Sequence, residues 1–344
     1  MSKSVLESVP ASTRAWLAEP DNPAVAVMAA RLFGDSEPKG LWAKRNGYEP
    51  VAGILADMRE DGSWDTPQRD YQKYGGSLWQ IAFLGELWAD GSDPRIKKAA
   101  EYAFSRQTPS GKWTANPKAA YDMPCLTSNV GRAMARLGWS RDERVIQALA
   151  YDVDTYRRLG YLGCSDMSVF TLNGYCHMLV PKHLLFMGEI PRELWPEGAE
   201  ELRDACIDAM RDKQVHCYLP AEAKEFQPLI YEAKAAERDE VREGYLAEHP
   251  ELHFGPKPGW LRFGYPLSYN SDALESLRGL MAVDEPMRPE YEEAVRVVRD
   301  AADDQMRWTL KNSFNGKMRA NVEKKGQPSK WLTLYALQVL DYFG

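Results

Sequence analysis

The chain has 344 residues, of which 44% are hydrophobic and 27% are charged, and its formal net charge is −7. This composition is typical of a globular protein and, with no Lys/Arg-rich run, argues against a nucleic-acid-binding protein. The apolar runs, such as 25–30 and 81–84, are too short to cross a bilayer and no signal peptide precedes them, so we predict a cytoplasmic protein without a membrane-spanning segment.

A sequence motif made of one amphipathic helix and a polar turn with Gly and Trp recurs along the chain. It ends at Trp64 and, about fifty residues later, at Trp113. Degraded copies end at Cys164 and Cys217, and a late copy ends at Trp308. Self-similarity at this period is typical of stacked helical hairpins.

Each copy is followed by a segment that is apolar around most of the helical circumference, as in a helix buried on several sides. These segments are 75–89, 124–138, 174–188, 265–281 and 328–343. Alternating β-branched runs that would indicate strands are nearly absent. We therefore predict an all-α fold. It is a single domain over 1–344, a closed α/α toroid of about five or six hairpins in which inner and outer helices alternate.

The segment 220–260 interrupts this alternation. It is charged, it ends in a Pro- and Gly-rich stretch, and it lies between the fourth copy of the motif and the next inner helix. Two interpretations remain open: the insertion is a solvent-exposed region without a role in function, or it is a lid over the mouth of the cavity.

The motif resembles a known repeat. The stretch "RQTPSGKW", with Gln107, Gly111 and Trp113, resembles the QW-type repeat of squalene–hopene cyclases and protein prenyltransferase β-subunits, and "DMREDGSW" matches it in part. Over nearly its whole length the chain is similar to small stand-alone bacterial members of this terpenoid cyclase and prenyltransferase superfamily. The resemblance implies an α/α toroid, and it does not imply one reaction.

The motifs that carry the chemistry of those families are not matched. The Asp-x-Asp-Asp motif of the cyclases has no counterpart in 152–155 or 300–304. Asn173 stands where the prenyltransferases have a zinc-binding Asp, and the diphosphate-binding Asp-Asp-x-x-Asp motif is missing. The activity of neither family is therefore expected here.

Four of the five cysteines are predicted to lie at one rim of the toroid, where outer helices end and inner helices begin. They are Cys125, Cys164, Cys176 and Cys217. Cys206 falls within an outer helix, where a small core residue is expected. The odd number and the spacing of the cysteines do not form a disulfide framework, which indicates reduced thiols.

Three interpretations of the rim cysteines remain open. The first is a zinc site, because thiolate, imidazole and carboxylate groups bind zinc. Its ligands would be Cys125, Cys164 and Cys176 with His177 or Asp166. The second is a nucleophilic or acid–base cysteine whose pKa is lowered by a helix N-terminus and a neighbouring His. The third is a set of small residues packed where inner helices converge.

Further residues near the starts of inner helices are expected to face the cavity and contact a substrate. They are Trp79, Gln80, Asn129, Tyr269, Lys330 and Trp331. We favour Asp272 as the proton carrier, because a carboxyl group in an aromatic-lined pocket has a raised pKa; the alternative is an Asp that only caps its helix. Lys182 points either into the cavity or to the far rim.

The predicted function is an enzyme that binds a hydrophobic or polycyclic small molecule in the cavity. It performs cyclisation, isomerisation, or lyase or hydrolase chemistry by proton transfer. Zinc assists the reaction if the first interpretation of the cysteines holds. The predicted catalytic residues are Asp272, Cys176 and His177. A carbohydrate-active toroid is the alternative among enzymes, and it needs two carboxylates, Asp272 with Asp166 or Asp65. A non-catalytic binding or scaffold protein would fill the cavity with its own Trp and Tyr side chains.

Overall fold

The computed structural model describes residues 4–114, 123–164, 172–219, 226–252 and 255–344. Over these residues the chain is mostly helical, which confirms the all-α prediction. The α-helices are α1 (Ala11–Leu17), α2 (Pro23–Phe33), α3 (Glu49–Ala56), α4 (Ser77–Glu86), α5 (Pro94–Ser105), α6 (Pro124–Met134), α7 (Glu143–Leu159), α8 (Val180–Met187), α9 (Ala199–Asp212), α10 (Phe226–Glu232), α11 (Arg238–Glu248), α12 (Ala273–Ala282), α13 (Glu292–Asp300) and α14 (Lys330–Phe343). No helix among the described residues is both long enough and apolar enough to span a bilayer.

Two short antiparallel strand pairs accompany the helices. Strand β1 (Cys217–Tyr218) pairs with β2 (Gly255–Pro256), and β3 (Trp308–Thr309) pairs with β4 (Pro328–Ser329). Cys217 lies opposite Pro256 in the first pair, and Trp308 lies opposite Ser329 in the second. Ladders of two residues agree with the scarcity of strand patterns in the sequence.

Five helices are buried along most of their length, namely α4, α6, α8, α12 and α14. In α4, for example, every residue from Ser77 to Gly85 is buried. Helix α4 packs on α6, α6 on α8, α8 on α12, α12 on α14, and α14 on α2. Apolar residues cover more than one face of these helices because each contacts neighbours on several sides.

The amphipathic helices flank the buried ones. Helix α5 packs on α4, α7 on α6, α9 on α8, and α13 on both α12 and α14. Asp93 and Asp142 begin α5 and α7, and each side chain accepts a hydrogen bond from the backbone N–H two residues further on. An Asp in this position satisfies an otherwise free donor at the helix start. Local sequence signals therefore define where the amphipathic helices begin.

The turn with Gly and Trp makes the same contacts in three places. Each indole N–H donates to a carbonyl ten residues earlier, at 2.6–2.8 Å, and each Trp backbone N–H contacts a hydroxyl of the following buried helix, at 3.0–3.2 Å. The sets are Trp64 with Ile54 and Ser77, Trp113 with Ala103 and Thr127, and Trp308 with Val298 and Thr333. The Trp thus fastens an amphipathic helix to the buried helix that comes next.

The glycines of these turns connect one repeat to the next. Gly62 and Gly111 have φ angles of 88° and 94°, and a Cβ on either would collide with a backbone carbonyl of the next amphipathic helix. Gln107 reinforces this contact, since its side-chain amide donates to the Gly111 and Arg144 carbonyls at 2.7 and 2.9 Å. Glycine is required here both for the left-handed backbone and for the close approach.

The insertion carries α10 and α11, and a small hydrophobic cluster joins these helices to Leu172 and Leu219, which lie outside it. The buried members of that cluster are Leu172, Leu219, Phe226, Ile230 and Tyr245. Strand β2 then returns the chain to β1. Residues 220–225 and 253–254 lie outside the described part, and a lid function of the insertion stays a prediction.

Candidate functional site

Three of the four rim cysteines line one pocket, which we call the Cys pocket. Its walls are Pro124, Cys125, Cys164, Cys176, Met178, Leu179 and Tyr269, and the space between them, part of which is open to solvent, is about 310 Å³. The Cys176 N–H donates to the Leu162 carbonyl at 2.7 Å, which ties the loop before α8 to the loop after α7. Apart from the thiols and one phenol, these side chains are apolar, so the pocket suits a hydrophobic ligand.

Burial favours the neutral forms of Cys125 and Tyr269 in this pocket. It raises the pKa of the Cys125 thiol well above its usual range, although the Lys182 ammonium acts in the opposite direction. It also raises the pKa of Tyr269 to about 12. At Cys125 desolvation outweighs the nearby positive charge, which opposes the interpretation of the cluster as a cysteine with a lowered pKa; for Cys164 and Cys176 that interpretation stays a prediction.

Cys176 and His177 face different pockets. The second pocket, which we call the His177 pocket, has about 270 Å³ of empty space. It is lined by Tyr175, His177, Val180, Met210, Val215, His216, Cys217, Tyr218, Lys257 and Trp260. The fourth rim cysteine, Cys217, thus lies here, together with two residues of the insertion.

His177 is a neutral imidazole in this environment. Burial, with a smaller effect of the Lys257 ammonium, lowers the pKa of His177 to about 3. Lys257 Nζ contacts His177 Nε2, and the ammonium lies near the rings of Tyr218 and Trp260. The structure therefore places His177 beside a lysine and not beside the Cys176 thiol that the sequence paired with it.

The described residues do not fit the zinc site predicted from the sequence. A zinc ion needs its ligands around one point. Cys125, Cys164 and Cys176 share a pocket that His177 does not enter, and no group of three or more His, Cys, Asp or Glu side chains among the described residues could hold a metal ion. Asp166, the alternative ligand, lies outside the described residues, so a zinc site stays a prediction.

Asp272 caps α12 and is also the buried acid that we expected. Its Oδ1 accepts from the Glu275 N–H at 2.8 Å and its Oδ2 from the Gly264 N–H at 3.0 Å. Burial raises its pKa to about 7, against the lowering effect of these two hydrogen bonds. The two interpretations of Asp272 are thus compatible, since one carboxyl group caps the helix and titrates near neutrality.

Lys182 forms a buried ion pair next to Asp272. Its Nζ lies 2.5 Å from the Glu275 carboxylate and donates to the Asn270 carbonyl at 2.8 Å. The ammonium also lowers the pKa of both Cys125 and Asp272. Lys182 therefore joins α8 to α12 between the Cys pocket and Asp272, and it does not reach a rim.

Trp79, Gln80, Asn129 and Tyr269 were predicted to contact the substrate, and of these four only Tyr269 lines the Cys pocket. Trp79 packs edge-on to Tyr269, with ring centroids 6.5 Å apart, and its indole N–H donates to the Tyr71 carbonyl. Gln80 donates to the Tyr74 carbonyl at 2.8 Å, and Asn129 donates to the Cys125 carbonyl at 2.7 Å. These last side chains support the backbone around the pocket.

Lys330 and Trp331 lie away from the Cys pocket. The Lys330 ammonium is held by the Glu19 carboxylate at 2.7 Å and by Asp21, both near the N-terminus. Trp331 is fully buried and stacks on Tyr265 and Tyr335, with centroids 5.0 and 5.8 Å apart. The start of α14 thus packs into the core.

The carboxylate pair of the carbohydrate alternative is not assembled by the described residues. Asp65 accepts from the Thr66 N–H at 2.8 Å and lies 3.6 Å from Arg69, which are local contacts within its own turn. Asp272 holds two backbone N–H groups, and neither carboxyl group lines the Cys pocket. A glycosidase needs both carboxyl groups to flank one bond.

Sequence reasoning missed a second set of polar residues, which lies further along the same buried helices. We call it the arginine cluster, and its members are Glu86, Arg132, Arg136, Glu189 and Arg278. Arg132 lies 2.5 Å from Glu86, and Arg136 lies 2.5 Å from Glu189 and 3.4 Å from Glu86. Arg278 stacks on the Tyr335 ring at 3.4 Å. Charged residues inside otherwise apolar helical segments are the signal that could have revealed it.

The arginine cluster keeps the Glu86 carboxylate ionised. Burial alone would raise the pKa of Glu86, but the guanidinium groups of Arg132 and Arg136 lower it to about 2. The Tyr265 hydroxyl donates to the backbone carbonyl of Glu86. Opposite charges in direct contact thus dominate over desolvation in this cluster.

A third buried group joins α6, α7 and α8. The Ser128 hydroxyl donates to Asp152 at 2.8 Å and lies 3.0 Å from His183 Nδ1, and that same nitrogen lies 3.3 Å from Asp152. A catalytic triad places its Ser and its Asp on opposite nitrogens of the imidazole. This group therefore connects helices and lacks the geometry of a charge-relay site.

Comparisons with known proteins add no family. No protein-family model and no curated protein matches this chain. Three solved structures of the type II terpene cyclase MstE from Scytonema are similar over 87–88% of this chain and 96–97% of theirs, at 13–14% identity and TM-scores of 0.32–0.35. One is the apo enzyme, one holds the product merosterolic acid A, and one holds the substrate geranylgeranyl dihydroxybenzoate. TM-scores below 0.5 do not establish a common fold, so these likenesses carry no argument about this chain.

Proposed function

We propose that the buried helices form the inner ring of an α/α toroid and that the turns with Gly and Trp are QW-type repeats. The order of packing supports this, because α4, α6, α8, α12, α14 and α2 contact one another in sequence and the amphipathic helices flank them. The repeated Trp contacts support it as well, since one turn geometry recurs at Trp64, Trp113 and Trp308. In this arrangement the N-terminal ends of the inner helices surround the Cys pocket.

We propose further that the protein is an enzyme whose Cys pocket takes a hydrophobic small molecule. The observation that carries this proposal is the pocket itself, an apolar space at the starts of α6, α8 and α12 that is lined by three thiols and a phenol. The chemistry is cyclisation, isomerisation, or a lyase or hydrolase reaction that proceeds by proton transfer.

Asp272 is the proton carrier in this proposal. A pKa of about 7 lets a carboxyl group hold a proton at neutral pH and release it to a substrate. The Ser271 hydroxyl donates to the Met178 carbonyl at 3.1 Å, which joins the segment before α12 to the wall of the pocket. Delivery of the proton requires the hydrogen bond from Gly264 to open, because that bond occupies Oδ2, and it requires the start of α12 to move, because Asp272 does not line the Cys pocket.

Cysteine footprinting tests whether the pocket binds such a ligand. The protein is alkylated with N-ethylmaleimide, with and without a panel of isoprenoid and polycyclic compounds, and each cysteine is quantified by peptide mass spectrometry. A bound ligand is expected to protect Cys164 and Cys176, which are partly exposed, while Cys217 in the His177 pocket serves as the internal control. Equal protection of Cys217, or no protection by any compound, would contradict the proposal.

A non-catalytic binding protein is the second candidate, and the aromatic stack around Trp331 favours it. Tyr265, Trp331 and Tyr335 fill the space between α12 and α14 with the protein's own rings, as that alternative predicts. Incubation of the footprinting ligands with the protein, followed by mass spectrometry of the small molecules, separates the candidates. Protection with no chemical change in any ligand supports binding alone, and conversion that is lost in Asp272→Asn supports the enzyme.

A further inference from the structure

The arginine cluster holds more positive than negative charge. Three guanidinium groups face two carboxylates, Glu86 and Glu189, while the nearby Lys182 is already paired with Glu275. Arg278 forms no ion pair with any described residue, and its side chain is buried against Tyr335. An excess of buried positive charge is unfavourable, so a bound anion would stabilise this arrangement.

Donor groups in the same cluster lack partners. Arg132 is 2% exposed, and neither its Nε nor its Nη2 atom has a hydrogen-bond partner. Arg278 donates no hydrogen bond to any described residue. It stacks on Tyr335, whose ring lies 5.6 Å from that of Tyr265, and the Tyr265 hydroxyl donates to the Glu86 carbonyl, which puts Arg278 near the Glu86–Arg132 pair. Arg132 Nε lies 3.9 Å from Glu189 Oε1, beyond hydrogen-bond distance. Buried donors are almost always paired, so the unpaired Nε and Nη2 atoms of Arg132 point to an acceptor supplied by a ligand.

Helix α6 connects this cluster to the Cys pocket. Cys125, Asn129, Arg132 and Arg136 follow one another at spacings of four, three and four residues, which puts them on one face of the helix. At 1.5 Å per residue, Cys125 and Arg132 are about 10 Å apart along the helix axis. That separation is spanned by an extended chain of eight to ten carbon atoms, roughly the length of a medium-sized lipid tail.

We propose that Arg132 and Arg278 bind the carboxylate head group of an amphiphilic ligand whose apolar part lies in the Cys pocket. This rests on the proposed function of that pocket and specifies the class of its ligand. A carboxylate matches the planar fork of a guanidinium group and would balance the charge of the cluster. It would also supply acceptors for the free N–H groups of Arg132.

The test compares two probes that differ only in the head group. Dodecanoate and dodecan-1-ol are titrated into the full chain below their solubility limits, and binding is measured by tryptophan fluorescence and by protection of Cys176. Wild type is expected to bind the acid about ten-fold or more tightly than the alcohol, since hydrogen bonds to a charged group contribute on this scale. Arg278→Met is expected to abolish that preference while dodecan-1-ol still binds, and Arg278→Lys to retain part of it.

Arg144→Met is the matched control, because Arg144 also stacks on an aromatic ring, that of Phe104 at 3.5 Å, but lies on the surface. It is expected to keep the preference for the acid. Equal affinity of wild type for both probes would overturn the head-group assignment and leave the pocket proposal intact, whereas failure of both probes to bind would overturn both. If sodium formate alone raises the melting temperature as much as dodecanoate does, the anion is a free ion and the head-group assignment is wrong.

Discussion

The Cys pocket and the arginine cluster lie on the same buried helices, yet they hold polar groups in opposite states. In the Cys pocket, burial raises the pKa of Cys125 and the thiol stays neutral. In the arginine cluster, Glu86 is buried as deeply but has a pKa of about 2. The difference lies in the partners, because Glu86 contacts two guanidinium groups whereas Lys182, the cation near Cys125, is engaged by Glu275. Direct contact with opposite charges, and not burial alone, decides ionisation here.

Helix direction adds to this difference. Glu86 is the last residue of α4, where the partial negative charge of the helix end disfavours a carboxylate. Arg132 and Arg136 lie toward the end of α6, where a cation is favoured. The arginine charges therefore interact favourably with the partial negative charge at the end of their own helix. They also offset the unfavourable position of the Glu86 carboxylate at the end of α4.

The largest expected effect comes from breaking the arginine cluster. Glu86→Gln removes the charge that pairs with both Arg132 and Arg136 and leaves two buried guanidinium groups with only Glu189. Loss of one partner from a buried ion pair costs about 3–5 kcal/mol, so the free energy of unfolding is expected to fall by that amount. Urea denaturation followed by circular dichroism measures it.

Glu37→Gln is the control for this change, because Glu37 pairs with Arg31 at 2.7 Å on the surface. It is expected to leave the urea midpoint nearly unchanged, since exposed ion pairs contribute little. Similar midpoint shifts for Glu86→Gln and Glu37→Gln would show that the cluster is not a tightly coupled buried network.

A smaller effect is expected from Asp272 and should appear as a change in pH dependence. Folding raises the pKa of Asp272 from its usual value near 4 to about 7, so the folded state binds a proton that the unfolded state releases. Stability due to this group is therefore present at low pH and decreases as the pH rises through 7, by at most about 1.4 kcal/mol per pH unit. Asp272→Asn is expected to flatten the curve of unfolding free energy between pH 5 and 8.

Asp142→Asn is the matched control, because Asp142 also caps a helix but hydrogen bonding to Arg144 lowers its pKa. The groups packed around Asp272, namely Lys182 and Glu275, stay in place in both variants. A curve for Asp272→Asn that runs parallel to that of wild type from pH 5 to 8 would rule out an Asp272 that titrates near neutrality.

The order of the helices could be predicted because its signals are local. Amphipathic and fully apolar segments alternate, and the Gly and Trp of each turn lie within a few residues of the helix end that they close. The contacts of Trp64 and Trp113 follow from that local pattern. The buried position of Cys206 was predicted on the same grounds.

The candidate site was predicted only in part, because its contacts join residues that are far apart in sequence. Glu86 and Arg132 are on different helices, and no local periodicity indicates that they pair. Conversely, Cys176 and His177 are adjacent in sequence, but consecutive side chains outside a helix point in different directions and enter different pockets. Adjacency in sequence was a poor guide to adjacency in the site.

The smallest effect is expected at the Cys pocket, in Cys176→Ala. A small, partly exposed side chain contributes mainly apolar contact, so its removal should lower the free energy of unfolding by about 1 kcal/mol or less. Because Cys176 and His177 do not converge, elemental analysis of untagged wild type and Cys176→Ala is expected to find no stoichiometric zinc in either. The opposite result would be about one zinc per wild-type chain that is lost in the variant together with several kcal/mol of stability. It would make the rim cysteines a metal site with ionised thiols, and the Cys pocket would then hold charged groups as the arginine cluster does.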